Sequence, residues 1–238
     1  TEYLSSQTEF IFRAFTGERV VSRTLASGTG YFNIHDLDWD GEILDMLELR
    51  PEQLGQLVEA FHTAPMEASM ANKVGLPAGI PMTVGSADGA MNQLAVGGLG
   101  TDAMSMSVGT SAAMRVAHLD PRIPREPSTW CYYLLAGRRL AGAAINNGTN
   151  CVDWFLLEHG HQLNRDTYAR YTNALQNVEG GNAPMFMPFL YGERCPGWSE
   201  HRMGGFVDVQ ASHSRFDLYY SVLEGILFNM RQCYDILV

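Results

Sequence analysis

Four short, strand-like segments follow one another between residues 103 and 145, and they limit the folds open to this chain. They read AMSMSV, AAMRVA, WCYYLLA and RRLAGAAI, and each is apolar or alternating and bounded by turn residues. Such a run predicts a meander of neighbouring antiparallel strands. The tripeptide Gly109-Thr110-Ser111 would then form its first hairpin turn.

Helical patterns lie on both sides of this run, which is typical of an α/β protein. The first helix should end at Gly17 and bury one face, which consists of Phe10, Ile11, Ala14 and Phe15. Asp38 is a plausible N-cap for a helix in HDLDWDGEILDMLEL, and PEQLGQLV predicts another short helix. IPMTVG predicts a brief buried strand, and CVDWFLLEHG and YYSVLEGILFNMRQCYDILV predict helices.

Composition excludes several classes of protein. The chain has 238 residues, of which 46% are hydrophobic, and this is enough for one large core or two smaller ones. A net charge of -10, with Lys73 as the only lysine, argues against a nucleic-acid surface. An anionic nucleotide would therefore need a local site.

Cysteine spacing and hydropathy narrow the class further. The four cysteines are widely spaced and form no CxxC pair or Cys/His cluster, and no apolar run reaches about 18 residues. The sequence predicts no disulfide framework, zinc site or membrane span. It favours a reduced, cytoplasmic protein.

The sequence also suggests where the chain divides and how complete it is. Three glycines in GGLGTDA, residues 97–103, separate a helical pattern from the strand run, so we expect a domain boundary there. The first residue is Thr1 rather than methionine, and the last helical pattern continues to Val238. We therefore expect the chain to be a piece of a longer protein.

Two segments carry residue types that suit phosphate chemistry. Asp88 directly follows the strand IPMTVG, at the carboxyl end where loops build sites; alternatively, it is the N-cap of the next helix. Gly109-Thr110-Ser111 offers close backbone approach and hydroxyl donors, which suit a phosphate. The alternative is an ordinary hairpin turn.

Two further segments are less specific. Asn146-Asn147-Gly148 precedes a predicted helix and could contact the ribose or phosphate of a nucleotide, or simply form a capping turn. In GERCPGW, an ion pair between Glu193 and Arg194 would give the loop a structural role, and we favour that interpretation.

Four blocks of the sequence, taken in order, resemble the FGGY family of carbohydrate kinases and, within it, the gluconokinase-like branch. They are FIFRAFTGERVVSRTLASGTGYFNIHDLDWD, GLPAGIPMTVGSADGA, SVGTSAAMRV and GGFVDVQASHSRFDLYYSVLEG. The resemblance covers nearly the whole chain, although members of the family are roughly twice as long. At Asp208 the family usually has glycine, so a changed turn is expected there.

The resemblance implies an α/β protein with the two-domain actin-like ATPase (ribonuclease H-like) fold, incomplete at both ends. Residues 1–100 would be the C-terminal part of the N-terminal, sugar-binding domain. Residues 101–238 would be the N-terminal part of the C-terminal, nucleotide-binding domain. The implied reaction is the phosphorylation of a hydroxyl of a small sugar or sugar acid, with ATP and Mg²⁺. Gluconate is the first choice because AINNG and WCYYLL resemble the gluconokinase branch.

The same resemblance assigns roles to single residues. Asp88 matches the catalytic aspartate of the family, which accepts the proton of the sugar hydroxyl. Gly109, Thr110 and Ser111 match the second phosphate-binding loop, and Asn147 with Gly148 lies near a nucleotide contact. No metal ligand is assigned in this chain.

Alternatives to this function stay open. The substrate could be xylulose or another ketopentose. A non-catalytic, actin-like nucleotide-binding module would carry the phosphate turns without needing Asp88. The expected partner is a sugar or sugar acid, with no nucleic acid and no membrane, and a homodimer is left open because the sequence does not determine the oligomeric state.

Overall fold

The computed structural model describes residues 2–238, which form eight α-helices, twelve short strands and three 3-10 turns. The helices are α1 (Gln7–Thr16), α2 (Arg23–Ala26), α3 (Gly41–Met46), α4 (Ala68–Val74), α5 (Asp88–Ala95), α6 (Thr149–Glu158), α7 (Arg165–Ala174) and α8 (Arg215–Leu237). The strands are β1 (Val20–Ser22), β2 (Phe32–Asn33), β3 (Asp38–Trp39), β4 (Gln56–Val58), β5 (Thr63–Pro65), β6 (Pro81–Thr83), β7 (Met104–Val108), β8 (Ala112–His118), β9 (Trp130–Tyr133), β10 (Arg139–Ile145), β11 (Met185–Met187) and β12 (Gly205–Val207). The 3-10 turns are Pro51–Gln53, Leu175–Asn177 and Gly180–Asn182.

Helix α1 is bounded by two strong local signals. Ser6 accepts the N–H of Glu9, and the carboxylate of Glu9 accepts the N–H of Ser6, so two donors of the first turn are satisfied. Gly17 ends the helix with φ 79°, as predicted. The predicted apolar face is wrong, because Phe10 is 69% exposed and Phe12 is buried instead. Phe12 packs in a core with Val20, Ala64 and Val84.

Two other local predictions fail because strand pairing overrides them. Asp38 is not an N-cap: it lies in β3, and Asp40 caps α3 by accepting the N–H of Ile43 at 3.1 Å. The segment PEQLGQLV is not a helix beyond the 3-10 turn Pro51–Gln53. Its second half is β4, which pairs in parallel with β1, so strand pairing decides its conformation.

The four strands between Met104 and Ile145 form one sheet, but not as a meander. The order is β7-β8-β10-β9, so the predicted neighbour relation between β8 and β9 is wrong. Residues 119–129 contain three prolines and give the chain enough length to reach the far edge. A tight turn with Ala136 and Gly137 at positive φ then returns it as β10, between β8 and β9.

Aromatic packing holds the region around the last helix. The ring of Phe155 on α6 lies 5.9 Å from that of Tyr219 on α8, and Tyr171 on α7 lies 4.9 Å from Tyr219. The helix predicted from the amphipathic pattern is present as α8. Ser214 and Asp217 form a capping box at its start. Hydrogen bonds from Ser214 hold the pKa of Asp217 below its usual range.

The chain divides into two compact units. The first runs up to Met104 and includes Val116–Arg122 and Cys131–Ala141. The second comprises Ser105–Arg115, Ile123–Trp130 and Gly142–Val238. No helix among residues 2–238 combines the length and apolar character that crossing a bilayer requires.

Candidate active site

Asp88 is the first residue of α5 and lies just after β6. A turn at Gly85, with φ 86°, separates it from the strand. The N-cap is Ala87, so the alternative that Asp88 itself caps the helix is wrong. Asp88 is exposed, and one carboxylate oxygen accepts the N–H of Gly89 at 2.6 Å. The carboxylate is thus open to solvent on one oxygen and held by the backbone on the other.

The tripeptide Gly109-Thr110-Ser111 connects β7 to β8. The N–H of Gly109 donates to the carbonyl of Ser111 at 2.9 Å, which closes a tight turn. All three residues are exposed. Within residues 2–238, the structure shows no hydrogen bond from the hydroxyl of Thr110 or Ser111. These hydroxyls are therefore accessible to a ligand.

The start of α6 packs directly on this turn. The N–H of Thr149 donates to the carbonyl of Gly109 at 2.7 Å, and the N–H of Gly148 donates to the carbonyl of Thr110 at 3.1 Å. A side chain at position 148 would collide with the carbonyl oxygens of Gly109 and Thr110, so only glycine fits. The turn thus satisfies the first donors of α6 and is fixed by them.

Asn147 uses its side chain within the protein. It is 1% exposed, donates to the carbonyl of Gly192 at 2.6 Å and accepts the N–H of Tyr191 at 3.0 Å. Both ends of the amide thereby hold the 191–192 loop against the start of α6. A nucleotide contact by Asn147 stays a prediction. The amide points to the 191–192 loop, and it is the backbone of the next residue, Gly148, that contacts the Gly109-Thr110-Ser111 turn.

An ion pair orders the loop GERCPGW, residues 192–198, but it is not the predicted one. The carboxylate of Glu193 lies 2.8 Å from the guanidinium of Arg202, and Glu193 is 3% exposed. The predicted pair with Arg194 is wrong, because the Arg194 guanidinium lies over the ring of Trp198. The structural role expected for Glu193 is consistent with this burial.

Cysteine and metal chemistry have little support near the turn. Burial raises the pKa of Cys151 on α6 to about 12, so its thiol stays protonated at neutral pH. Among residues 2–238 there is no group of three or more histidine, cysteine, aspartate or glutamate side chains that could hold a metal ion.

The structure brings together five of the six predicted site residues. Hydrogen bonds join Gly148 to the turn Gly109-Thr110-Ser111 on the second unit, and Asn147 directly precedes Gly148. Asp88 belongs to the first unit. Sequence reasoning missed Thr24, whose hydroxyl accepts the N–H of Ala87 from 63 positions away. No local pattern marks such a pairing.

Comparison with known proteins identifies the family. Residues 3–95 match the N-terminal domain of the FGGY family of carbohydrate kinases, and residues 104–238 match its C-terminal domain. The chain belongs to the FGGY family of carbohydrate kinases. This confirms the resemblance carried by the four sequence blocks.

Individual FGGY relatives include gluconate and xylulose kinases. Gluconokinase of Bacillus subtilis is 30% identical over 93% of the chain, and xylulose kinase of Lactococcus lactis is 26% identical over 93%. The crystal structure of gluconate kinase from Lactobacillus acidophilus has a TM-score of 0.92 and 28% identity, and covers all of this chain and 48% of its own. These similarities confirm the predicted two-domain actin-like α/β fold.

The chain spans about half the length of the FGGY relatives it matches. The chain spans 45% of the length of the Bacillus subtilis gluconokinase. The comparisons give no support to the alternative of a non-catalytic nucleotide-binding module, because the similar proteins named above are sugar kinases.

Proposed function

We propose that the protein to which this chain belongs is an ATP-dependent sugar kinase that phosphorylates gluconate. The observation that carries the proposal is the similarity of nearly the whole chain to gluconokinases, at 30% identity over 93% of its length. Asp88 adds a chemical reason, because it is an exposed carboxylate at a helix N-terminus after a strand.

Asp88 would act as the general base. Phosphoryl transfer asks for little covalent chemistry from the protein, so orientation and charge are its main contributions. As the sugar hydroxyl attacks the γ-phosphorus, the free oxygen of Asp88 accepts the hydroxyl proton. The Gly89 N–H on its other oxygen fixes the direction of the carboxylate.

The turn Gly109-Thr110-Ser111 would contact the phosphates of ATP. Its exposed hydroxyls are donors of the kind that bind phosphate oxygens, and the start of α6 holds the turn in place through two backbone hydrogen bonds. Asn147 would contribute by holding the 191–192 loop beside this turn. ATP supplies the transferred phosphoryl group when bound.

Magnesium would enter with ATP rather than through a cage of side chains from this chain. Residues 2–238 offer no cluster of three acidic, histidine or cysteine side chains, so an all-protein cage for the ion is not part of the proposal. No step is therefore assigned to a metal held by this chain. Mg²⁺ ordinarily binds through one or two carboxylates together with substrate phosphates.

The division into residues 1–100 as part of a sugar-binding domain and 101–238 as part of a nucleotide-binding domain belongs to the same proposal. The two family matches, which meet between residues 95 and 104, support it. All four cysteines are free, which supports a cytoplasmic location. A homodimer is part of the same proposal. Light scattering on the full-length protein would measure its oligomeric state.

The test is a coupled ADP-release assay on the full-length protein with Mg²⁺ and ATP, over a panel of gluconate, xylulose, glycerol and related sugars. Gluconate should raise turnover most. Xylulose is the second candidate, because a Lactobacillus acidophilus xylulose kinase structure matches with a TM-score of 0.88 and 28% identity. Turnover that no sugar raises above the ATP-only background would contradict the kinase proposal.

A further inference from the structure

A network of three hydroxyl groups, of which those of Ser22 and Thr24 are buried and that of Ser86 is half-buried, lies beside the loop that carries Asp88. The hydroxyl of Thr24 lies 3.0 Å from that of Ser22 and 2.9 Å from that of Ser86. It also accepts the backbone N–H of Ala87 at 3.3 Å. Thr24 is 1% exposed and Ser22 is fully buried, so water does not replace these bonds.

The hydrogen-bonding capacity of Thr24 is fully used. A hydroxyl has one donor and two acceptor positions, and Thr24 has three partners. Because Ala87 can only donate, Thr24 gives its own proton to one serine and accepts from the other. The Thr24 hydroxyl thus links β1 to the 85–88 loop through both its donor and its acceptor positions.

The loop has no comparable support of its own. Ala87 is the N-cap of α5, and its side chain cannot accept a hydrogen bond, so the helix that begins with Asp88 has no side-chain cap. The Thr24 hydroxyl instead fixes the N–H of Ala87 from α2, which directly follows β1. Thr24 lies on α2, and the strand before it, β1, is held by pairing with β4.

We propose that Thr24 is a positioning residue, which sets the direction of the Asp88 carboxylate through Ser86 and Ala87. The inference rests on the proposed role of Asp88 as the base. It predicts that the Thr24 hydroxyl acts on the rate of phosphoryl transfer and not on sugar or nucleotide binding. A base displaced by about 1 Å loses much of its effect.

The experiment is a double-mutant cycle in the full-length protein, with gluconate, ATP and Mg²⁺. Thr24→Val removes the hydroxyl and keeps the shape, so kcat should fall about tenfold to hundredfold with KM for gluconate little changed. Thr24→Ser keeps the hydroxyl and should stay within about threefold of wild type. In Asp88→Asn, which alone should lose about 10² to 10⁴ in kcat, Thr24→Val should cost less than about twofold more.

Controls separate positioning from folding. Thr16→Val is the matched control, because Thr16 is also buried and its hydroxyl bonds only to nearby backbone, donating to the Phe12 carbonyl at 2.8 Å and accepting the N–H of Glu18 at 3.3 Å. It should leave kcat unchanged. If Thr24→Val does not fold, Ser86→Ala removes the other side of the contact and should lower kcat severalfold.

The two proposals fail in different ways. If Asp88→Asn loses activity but folded Thr24→Val, or Ser86→Ala in its place, keeps wild-type kcat, the positioning role is overturned and the base stands. Losses that add fully in the double variant overturn it as well. If Asp88→Asn itself keeps activity within about tenfold, the proposed base is wrong, and the inference falls with it.

Discussion

Asp208 shows how a single residue adapts to a turn. Its φ is 62°, in the left-handed region that glycine adopts freely and that aspartate tolerates better than most side chains. The resemblance to the family led us to expect a changed turn here, and that expectation stays a prediction. The observed φ is one that glycine would also adopt.

Thr110 is the residue on which the phosphate interpretation of the turn is tested. Thr110→Ala should weaken the binding of a non-hydrolysable ATP analogue to the full-length protein by roughly 1.5 to 3 kcal/mol, because a hydrogen bond to a charged group is lost. The melting temperature should change little, because Thr110 is exposed. Calorimetric titration beside thermal melting measures both.

Thr167→Ala, on α7 of the same unit, is the matched control for this measurement and should leave the affinity unchanged. Wild-type affinity in folded Thr110→Ala would instead support the ordinary hairpin turn. That result would leave the sugar-kinase proposal to the ADP-release assay.

At the scale of elements, a local signal predicted the end of α1 at Gly17. The cap of α3 was misplaced by about two residues, at Asp38 instead of Asp40, because Asp38 pairs within β3. Sheet order was not predictable in the same way. The loop between β8 and β9, which contains three prolines, is long enough to lead to more than one strand order. The observed order is determined by contacts between residues distant in sequence.

The junction between the turn and α6 gives a prediction at this scale. Gly148→Ala would press a methyl group against the carbonyls of Gly109 and Thr110, so it should destabilise the protein by about 1 to 3 kcal/mol. Gly181→Ala is the control, because a Cβ there meets no atom within 4 Å. It should be neutral or slightly stabilising.

Thermal melting of the two glycine variants compares them directly. Equal melting temperatures for Gly148→Ala and wild type would mean that the turn and α6 are less tightly joined than the hydrogen bonds at 2.7 and 3.1 Å indicate. The result concerns packing and does not depend on the substrate.

For the molecule as a whole, the sequence blocks were enough to predict the family and fold, because each block carries a residue pattern in a fixed order. They were not enough for the support of Asp88. Ser22, Thr24 and Ser86 are ordinary small polar residues in sequence, and their relation appears only when β1 and the 85–88 loop are brought together. Side chains that act through others leave little local signal.

The last prediction concerns the 238-residue chain by itself. It spans 45% of the length of the gluconokinase it matches, and phosphoryl transfer needs complete sites for both the sugar and ATP. We therefore expect the isolated chain to show no sugar-dependent ADP release under conditions in which the full-length protein turns over. Circular dichroism and thermal melting of the same sample would show that it is folded. Gluconate-dependent turnover by the folded chain near that of the full-length protein would contradict this expectation and would place the whole reaction in these residues.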